Sequence, residues 1–288
     1  MTARLRFILL LIPLLFVWPA HGQADTYHIL LTNDDGIESP GIQVLAEELA
    51  AVGQVHVVAP CGQRSGSSMS VALRDELHLQ PIERDGQPLQ HCVDTTPAGT
   101  VMLAISTLSP DGGFDLVVSG INSNANVGAA AHMSGTVGAA MMGAFYGLPA
   151  VAVSLGGPRE EYDYPARFVA AFVEELKQHP AMPGIVLSIN IPKASEAEIS
   201  GVTVAKMGEC YLRFAFEEVQ DESDSRRFRP RISLETNVTD ESDTAAYMRG
   251  MITVTPLQFD WTAYSVLDQL SEWSLSHEVT RQTESDSN

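Results

Sequence analysis

A chain of 288 residues with 45% hydrophobic content can bury one large core or two modest ones, which excludes a disordered chain. Acidic residues outnumber basic ones 36 to 17, a net charge of −19 that argues against nucleic-acid polymers as partners. Any phosphate site must therefore carry its own positive charge through a metal, an arginine or helix amides.

The N-terminus carries Arg4 and Arg6, an apolar run from Phe7 to Val17, and then small residues up to Ala24 suited to signal-peptidase cleavage. Residues 1–24 read as a secretory signal cut after Gly22 or Ala24, so the expectation is a periplasmic or secreted protein without stable membrane insertion after cleavage. Removing the signal leaves 15 basic against 36 acidic residues, about −21. Cys61, Cys92 and Cys210 match no zinc spacing and no disulfide framework. One pair could bridge and leave a thiol free, and a purely structural role is the default for all three.

Tyr27 to Leu31 reads as a buried strand that ends abruptly in Asn33-Asp34-Asp35-Gly36. Taken alone, that tetrapeptide is ordinary turn chemistry. At the carboxyl edge of a parallel sheet, two adjacent carboxylates repel each other, and a hard divalent cation is one means of offsetting the repulsion. Pro40 to Ala51 has helical spacing, and Val55 to Pro60 is a second strand, giving β-α-β. His56 inside that strand reads as a hydrogen-bonded or edge residue rather than a ligand.

Gln63-Arg64-Ser65-Gly66-Ser67-Ser68 follows, a loop whose small residues let backbone amides approach a ligand and whose Arg64 can make a forked phosphate contact. Residues 70–92 suggest a β-hairpin turning at Asp85-Gly86. A helix should begin near Pro97, after Asp94-Thr95-Thr96. Asp115 to Val118 is a short strand, and Ser119 to Gly128 reads as a loop in which Asn122, Asn124 and Asn126 supply amide oxygens. Ser134-Gly135-Thr136 opens a small-residue helix whose free amides can face an anion. Helical spacing places Met141 and Met142 in the core.

A strand near Pro149–Ser154, a helix over Tyr164–Leu176 and a strand over Gly184–Ile191 complete the first region. Beyond residue 200 the pattern changes and predicts strands near Val202–Lys206, Leu212–Val219, Arg231–Leu234 and Met251–Thr255, then a short helix over Thr262–Leu270. The expected architecture is α/β: a Rossmann-like, mostly parallel sheet flanked by helices over 25–200, and a smaller β-rich C-terminal extension over 201–275 serving oligomerisation. Residues 276–288 read as a disordered tail. Asn237-Val238-Thr239 is a formal glycosylation sequon.

Seven motifs in order, Asn33-Asp34-Asp35-Gly36, Arg64-Ser65-Gly66, Asp94-Thr95-Thr96-Pro97, Ser119-Gly120-Ile121-Asn122, Ser134-Gly135-Thr136-Val137, Asn190-Ile191-Pro192 and Thr255-Pro256-Leu257, make the chain resemble the SurE family. That family comprises metal-dependent 5'/3'-nucleotidases, the survival proteins, and the resemblance runs from about Tyr27 to Asp268. It implies one divalent ion, Mg or Mn, held by Asp34, Asp35, Ser65 and Asn122. Asp34 or Asp35 would be the catalytic base, and Arg64, Asn126, Ser134, Gly135 and Thr136 would lie at the phosphate. It further implies a small phosphate monoester as substrate, nucleoside 5'- or 3'-monophosphates and short polyphosphate being candidates, and a homodimer or homotetramer. Two positions depart from the family pattern. Asn124 stands where glycine is usual, and Cys61 where aspartate is common. The rival reading is a non-catalytic periplasmic phosphate-ligand-binding or assembly protein on the same fold.

Overall fold

The computed structural model describes residues 26–74, 76–156, 162–209, 212–219, 226–234 and 241–273. The leader, Cys210, the glycosylation sequon and the tail from 276 lie outside these residues.

Strand β1 (His28–Thr32) alternates its apolar side chains between two layers. Ile29 and Leu31 pack with Ile42, Leu45 and Val169 on one face, while Leu30 packs with Val101, Val137 and Ala140 on the other. All three strand residues are fully buried, and burial of each contributes about 1.5–3 kcal/mol. The chain continues through α1 (Pro40–Leu49), β2 (Gln54–Pro60), β3 (Leu79–Ile82), β4 (Gln90–Val93), α2 (Pro97–Thr107), β5 (Leu116–Asn122), α3 (Gly135–Phe145), β6 (Ala150–Leu155), α4 (Asp163–Leu176) and β7 (Ile185–Ile191). Then come β8 (Val202–Val204), β9 (Leu212–Val219), β10 (Arg227–Leu234), α5 (Asp243–Met248), β11 (Ile252–Gln258) and α6 (Leu267–Ser271).

Among the described residues, nine strands form one sheet in the order β3-β4-β2-β1-β5-β6-β7-β11-β8. From β4 through β2, β1, β5 and β6 to β7 the strands run parallel, as expected of βαβ units. Helices α1 and α4 cover one face, and α2 and α3 cover the other. The chain leaves β1 in one direction, toward β2 and β4, and returns to β5 on the opposite side of β1. The crevice at the carboxyl ends of β1 and β5 is therefore the topological switch point, where open α/β sheets bind ligands.

One expectation is modified. Strand β5 runs on through Ser119-Gly120-Ile121-Asn122, with a register shift against β6 between Ser119 and Asn122. The β-rich region beyond residue 200 is joined in part to the main sheet, because β11 pairs antiparallel with β7 and carries β8 beside it. Among the described residues only the β9–β10 ribbon stands apart, and α5 is an additional short helix capped by Ser242. The hairpin of β3 and β4 forms as expected, with Gly86 in the turn at φ 75°.

Cys61 and Cys92 form a disulfide, which settles the choice among cysteine pairings. It joins the chain just beyond β2 to the neighbouring strand β4. His56 is half-buried and hydrogen-bonded ring to ring with His28 at 3.1 Å, at the end of the sheet remote from the aspartates.

Candidate active site

Asn33 is fully buried and builds the turn after β1. Its carboxamide donates to the Gly36 carbonyl at 2.9 Å and to Ser39 Oγ at 2.7 Å, and it accepts from the Gly36 amide at 3.1 Å. Gly36 takes φ 98°, which a side chain would resist, and it faces Gly62 across the crevice. The turn is thus fixed by its own amide chemistry, and Asp34 and Asp35 are carried at the mouth of the switch point.

Three other loops are stitched to this aspartate pair. The loop after β2 is tied by the Arg64 amide donating to the Asp34 carbonyl at 2.7 Å, which brings Ser65 alongside. The end of β5 is tied by the Ser123 amide donating to Asp35 Oδ2 at 3.1 Å, next to Asn122. The start of α3 is tied by Thr136, whose hydroxyl donates to Asp34 Oδ1 at 2.5 Å. Asn122 uses its carboxamide nitrogen on the Asn124 carbonyl at 2.6 Å, so its oxygen is the atom left for a ligand.

Helix α3 owes its position to small residues. A Cβ on Gly143 would come within 2.7 Å of Val117, and one on Gly138 would run into the Ser68 carbonyl. At the helix start, a Cβ on Gly135 would meet Ser67 Oγ at 2.7 Å and Asp34 Oδ2 at 3.0 Å, so the bare glycine keeps a space open between those two groups. Ser134 caps the helix by accepting from the Val137 amide at 3.2 Å, which leaves the Gly135 and Thr136 amides without intrahelical acceptors.

Burial pushes the Asp34 carboxyl up to about 6, and the neighbouring Asp35 charge adds to the rise, while the Thr136 hydroxyl bond opposes it. Asp35 is only partly buried. Among the described residues no three of the His, Cys, Asp and Glu side chains gather into a metal cluster. The oxygens held at the crevice are instead those of the two carboxylates and the Asn122 carboxamide, with the Ser65 hydroxyl on the loop that the Arg64 amide ties to Asp34. This all-oxygen set fits a hard divalent ion that keeps several of its waters, and the repelling carboxylates supply the charge it needs.

Arg64 and Asn126 are placed less openly. The Arg64 guanidinium pairs with Asp94 at 2.6 Å and donates to the Thr95 carbonyl at 3.3 Å. The Asn126 side-chain nitrogen donates to Ser154 Oγ at 2.8 Å, and its backbone amide donates to the buried Asn190 at 2.7 Å. Two residues at the site escaped the sequence reading. Ser67 has a buried hydroxyl with no hydrogen-bond partner, facing the Gly135 space. Tyr162 is buried, and burial first and the Asp35 charge second push its hydroxyl pKa up. The serine-rich run offered a signal for Ser67, whereas Tyr162 had none.

The family model for survival protein SurE matches residues 29–213. A "5'-nucleotidase SurE" of Clostridium botulinum (strain Langeland / NCTC 10281 / Type F) is 34% identical over 252 residues, covering 86% of this chain and 100% of that protein. One from Coxiella burnetii (strain RSA 331 / Henzerling II) is 36% identical over 255 residues, covering 85% and 94%. The crystal structure of the SurE protein from Aquifex aeolicus superimposes with a TM-score of 0.74 at 30% identity, covering 85% of this chain and 98% of that one. With the aspartate pair at the switch point and relatives spanning nearly the whole described chain, the protein belongs to the SurE family.

Proposed function

We propose that this protein is a divalent-metal-dependent 5'-nucleotidase, a phosphomonoesterase that converts nucleoside monophosphates to nucleoside and phosphate, with 3'-monophosphates and short polyphosphate as further substrates. The observation that carries the reading is the stitching of three loops onto Asp34 and Asp35 at the β1–β5 crevice. Curated relatives bearing the 5'-nucleotidase name support it. Asp34, Asp35, Ser65 and Asn122 would hold a Mg or Mn ion. Such an ion polarises phosphoryl oxygens and lowers the pKa of a bound water.

The rest of the work falls to the chain. The Gly135 amide at the start of α3, which has no intrahelical acceptor, receives a phosphoryl oxygen, aided by the helix dipole, while the Thr136 amide is turned to Asp34. Thr136 holds Asp34 in place, so Asp35, partly open and with one oxygen not engaged by Ser123, accepts the proton of the attacking water. Arg64, held at the rim by Asp94, shares its charge with the phosphate. Asn126 lines the same crevice, its nitrogen fixed by Ser154.

The Cys61–Cys92 disulfide favours an oxidising compartment, in keeping with the leader and a periplasmic or secreted location. No helix of the described residues is long and apolar enough to cross a membrane. The β9–β10 ribbon exposes Phe214, Phe216, Phe228 and Ile232, and we assign it to assembly as a homodimer or homotetramer.

Hydrolysis of AMP by chelator-treated, Mn-restored and Mg-restored protein tests the reading, with Asp35→Asn alongside. Chelation and the substitution should each cost at least about 100-fold in kcat, with Mn or Mg reversing only the first. Chelated protein as fast as the restored sample refutes the metal role. If no sample hydrolyses any phosphate ester while phosphate ligands still bind, the protein is a binding protein on this fold.

A further inference from the structure

A cavity of about 340 Å³ opens beside the start of α3, and it contains none of the residues expected to hold the metal. Ser134 lines it and also caps α3, while Thr136, two residues on, grips Asp34. The cavity therefore begins where the substrate phosphate would end. Resting on the phosphomonoesterase reading, we propose that it receives the nucleobase of the substrate, with Trp261 as the residue that confers preference for nucleotides over other phosphate esters.

The lining is chemically uneven in a way that suits a flat aromatic ring. Met69 comes from the loop after β2, Met141 from α3 and Met207 from the segment after β8, so three polarisable thioethers converge from separate parts of the chain. Gly138 allows this approach, because its missing Cβ lets the Ser68 backbone lie against α3 and sets Met69 over the cavity. Trp261 stands at the rim with its ring 5.9 Å from that of His132, edge to face. The indole is 72% exposed, so stacking of a base would remove a large apolar surface from water.

Size and polarity agree with that occupant. About 340 Å³ lies at the small end of ligand pockets, enough for a base with its ribose. Gln258 adds a carboxamide beside the His132 ring and the Asp260 carboxylate, so the wall that the methionines leave open offers polar groups to a hydrogen-bonding base edge. A sugar phosphate would reach the amides of α3 but would gain nothing from the methionines and the indole.

The test compares AMP with ribose 5-phosphate, which lacks the base, on Mn-restored wild type, Trp261→Ala and Trp261→Phe. Trp261→Ala should lose about tenfold or more in kcat/KM for AMP, carried by KM, and stay within about twofold for ribose 5-phosphate, with Trp261→Phe recovering most of the loss. Equal losses on both substrates, or none on AMP, overturn the proposal. Adenosine titrated into the chelated protein should quench tryptophan fluorescence, and Trp261→Phe should abolish that response. If the wild type hydrolyses neither ester, the phosphomonoesterase reading fails, and the adenosine titration alone decides the cavity: quenching that depends on Trp261 supports it and no quenching refutes it.

Discussion

Replacing Cys61 and Cys92 together by alanine removes a cross-link between positions 31 residues apart. In the chain-entropy account, opening a loop of that length restores to the unfolded state an entropy equivalent to about 4 kcal/mol at 25 °C. For a domain of this size, roughly 2–4 °C of Tm accompanies each kcal/mol, so the double variant should melt roughly 8–15 °C lower than the oxidised wild type. The active-site loop has other anchors, however. The Cys61 amide donates to the Val93 carbonyl at 3.0 Å, the Arg64 amide to the Asp34 carbonyl at 2.7 Å, and the Arg64 guanidinium pairs with Asp94. At 25 °C, below the transition, kcat for AMP should therefore stay within about threefold of wild type, on the scale where one kcal/mol is about fivefold. Thermal unfolding followed by circular dichroism, with kcat measured on the same samples, separates the two effects. A Tm within about 2 °C of wild type refutes the staple. A collapse of kcat at unchanged Tm would instead make the disulfide part of the catalytic loop.

Two further outcomes follow from buried carboxylates. Asp34 is held at about 6 against an ordinary value of 3.8, so the folded metal-free protein binds this proton more tightly than the unfolded chain does. Its stability should fall by about 3 kcal/mol in all as pH rises from below 4 to above 6, a loss absent from Asp34→Asn; urea unfolding of the chelated pair at pH 4 and pH 8 reads most of it, and parallel pH slopes contradict it. Asp243 is buried and accepts from the Gly128 amide at 2.9 Å, the Gly208 amide at 2.8 Å and the Thr244 amide at 2.6 Å. Asp243→Asn turns a donor toward these donors and should cost about 3 kcal/mol in urea unfolding, and it should lower kcat several-fold because Gly128 closes the loop that carries Asn126; wild-type stability in the variant would refute that role.

The parts of the site legible in the sequence were those written locally. An apolar run breaking into Asn33-Asp34-Asp35-Gly36, and a serine before glycine-rich helix-forming residues, each announce themselves within a few positions because turn and cap chemistry is short-range. The return of β11 to the main sheet depends on pairing with β7 across more than sixty residues, for which alternation within the strand carries no information. The continuation of β5 through Asn122 was hidden because Ser119-Gly120 looks like a turn, yet Gly120 is there so that the Val153 carbonyl can approach its α-carbon closely. Arg64 shows the limit for side chains: its charge was visible, and its engagement by Asp94, thirty positions on, was not.

The two departures from the family pattern carry different weights once their backbones are seen. Asparagine tolerates a left-handed backbone better than most residues that replace glycine, but among the described residues Ser68 is the sole non-glycine with positive φ. Asn124 thus has no such demand to meet, and what the loop uses is its carbonyl, which accepts from Asn122 at 2.6 Å and from Asn126 at 3.4 Å. Any residue supplies a carbonyl, so substitution at this position leaves the Asn122 oxygen directed as before. Cys61 differs in kind, because its side chain forms a covalent bond that an aspartate cannot, binding the strand end before Ser65 to β4. That bond persists only outside a reducing cytoplasm. The departure at Cys61 therefore ties the loop that carries Ser65 covalently to the sheet, whereas the one at Asn124 leaves the bonding of its own loop as any residue would make it.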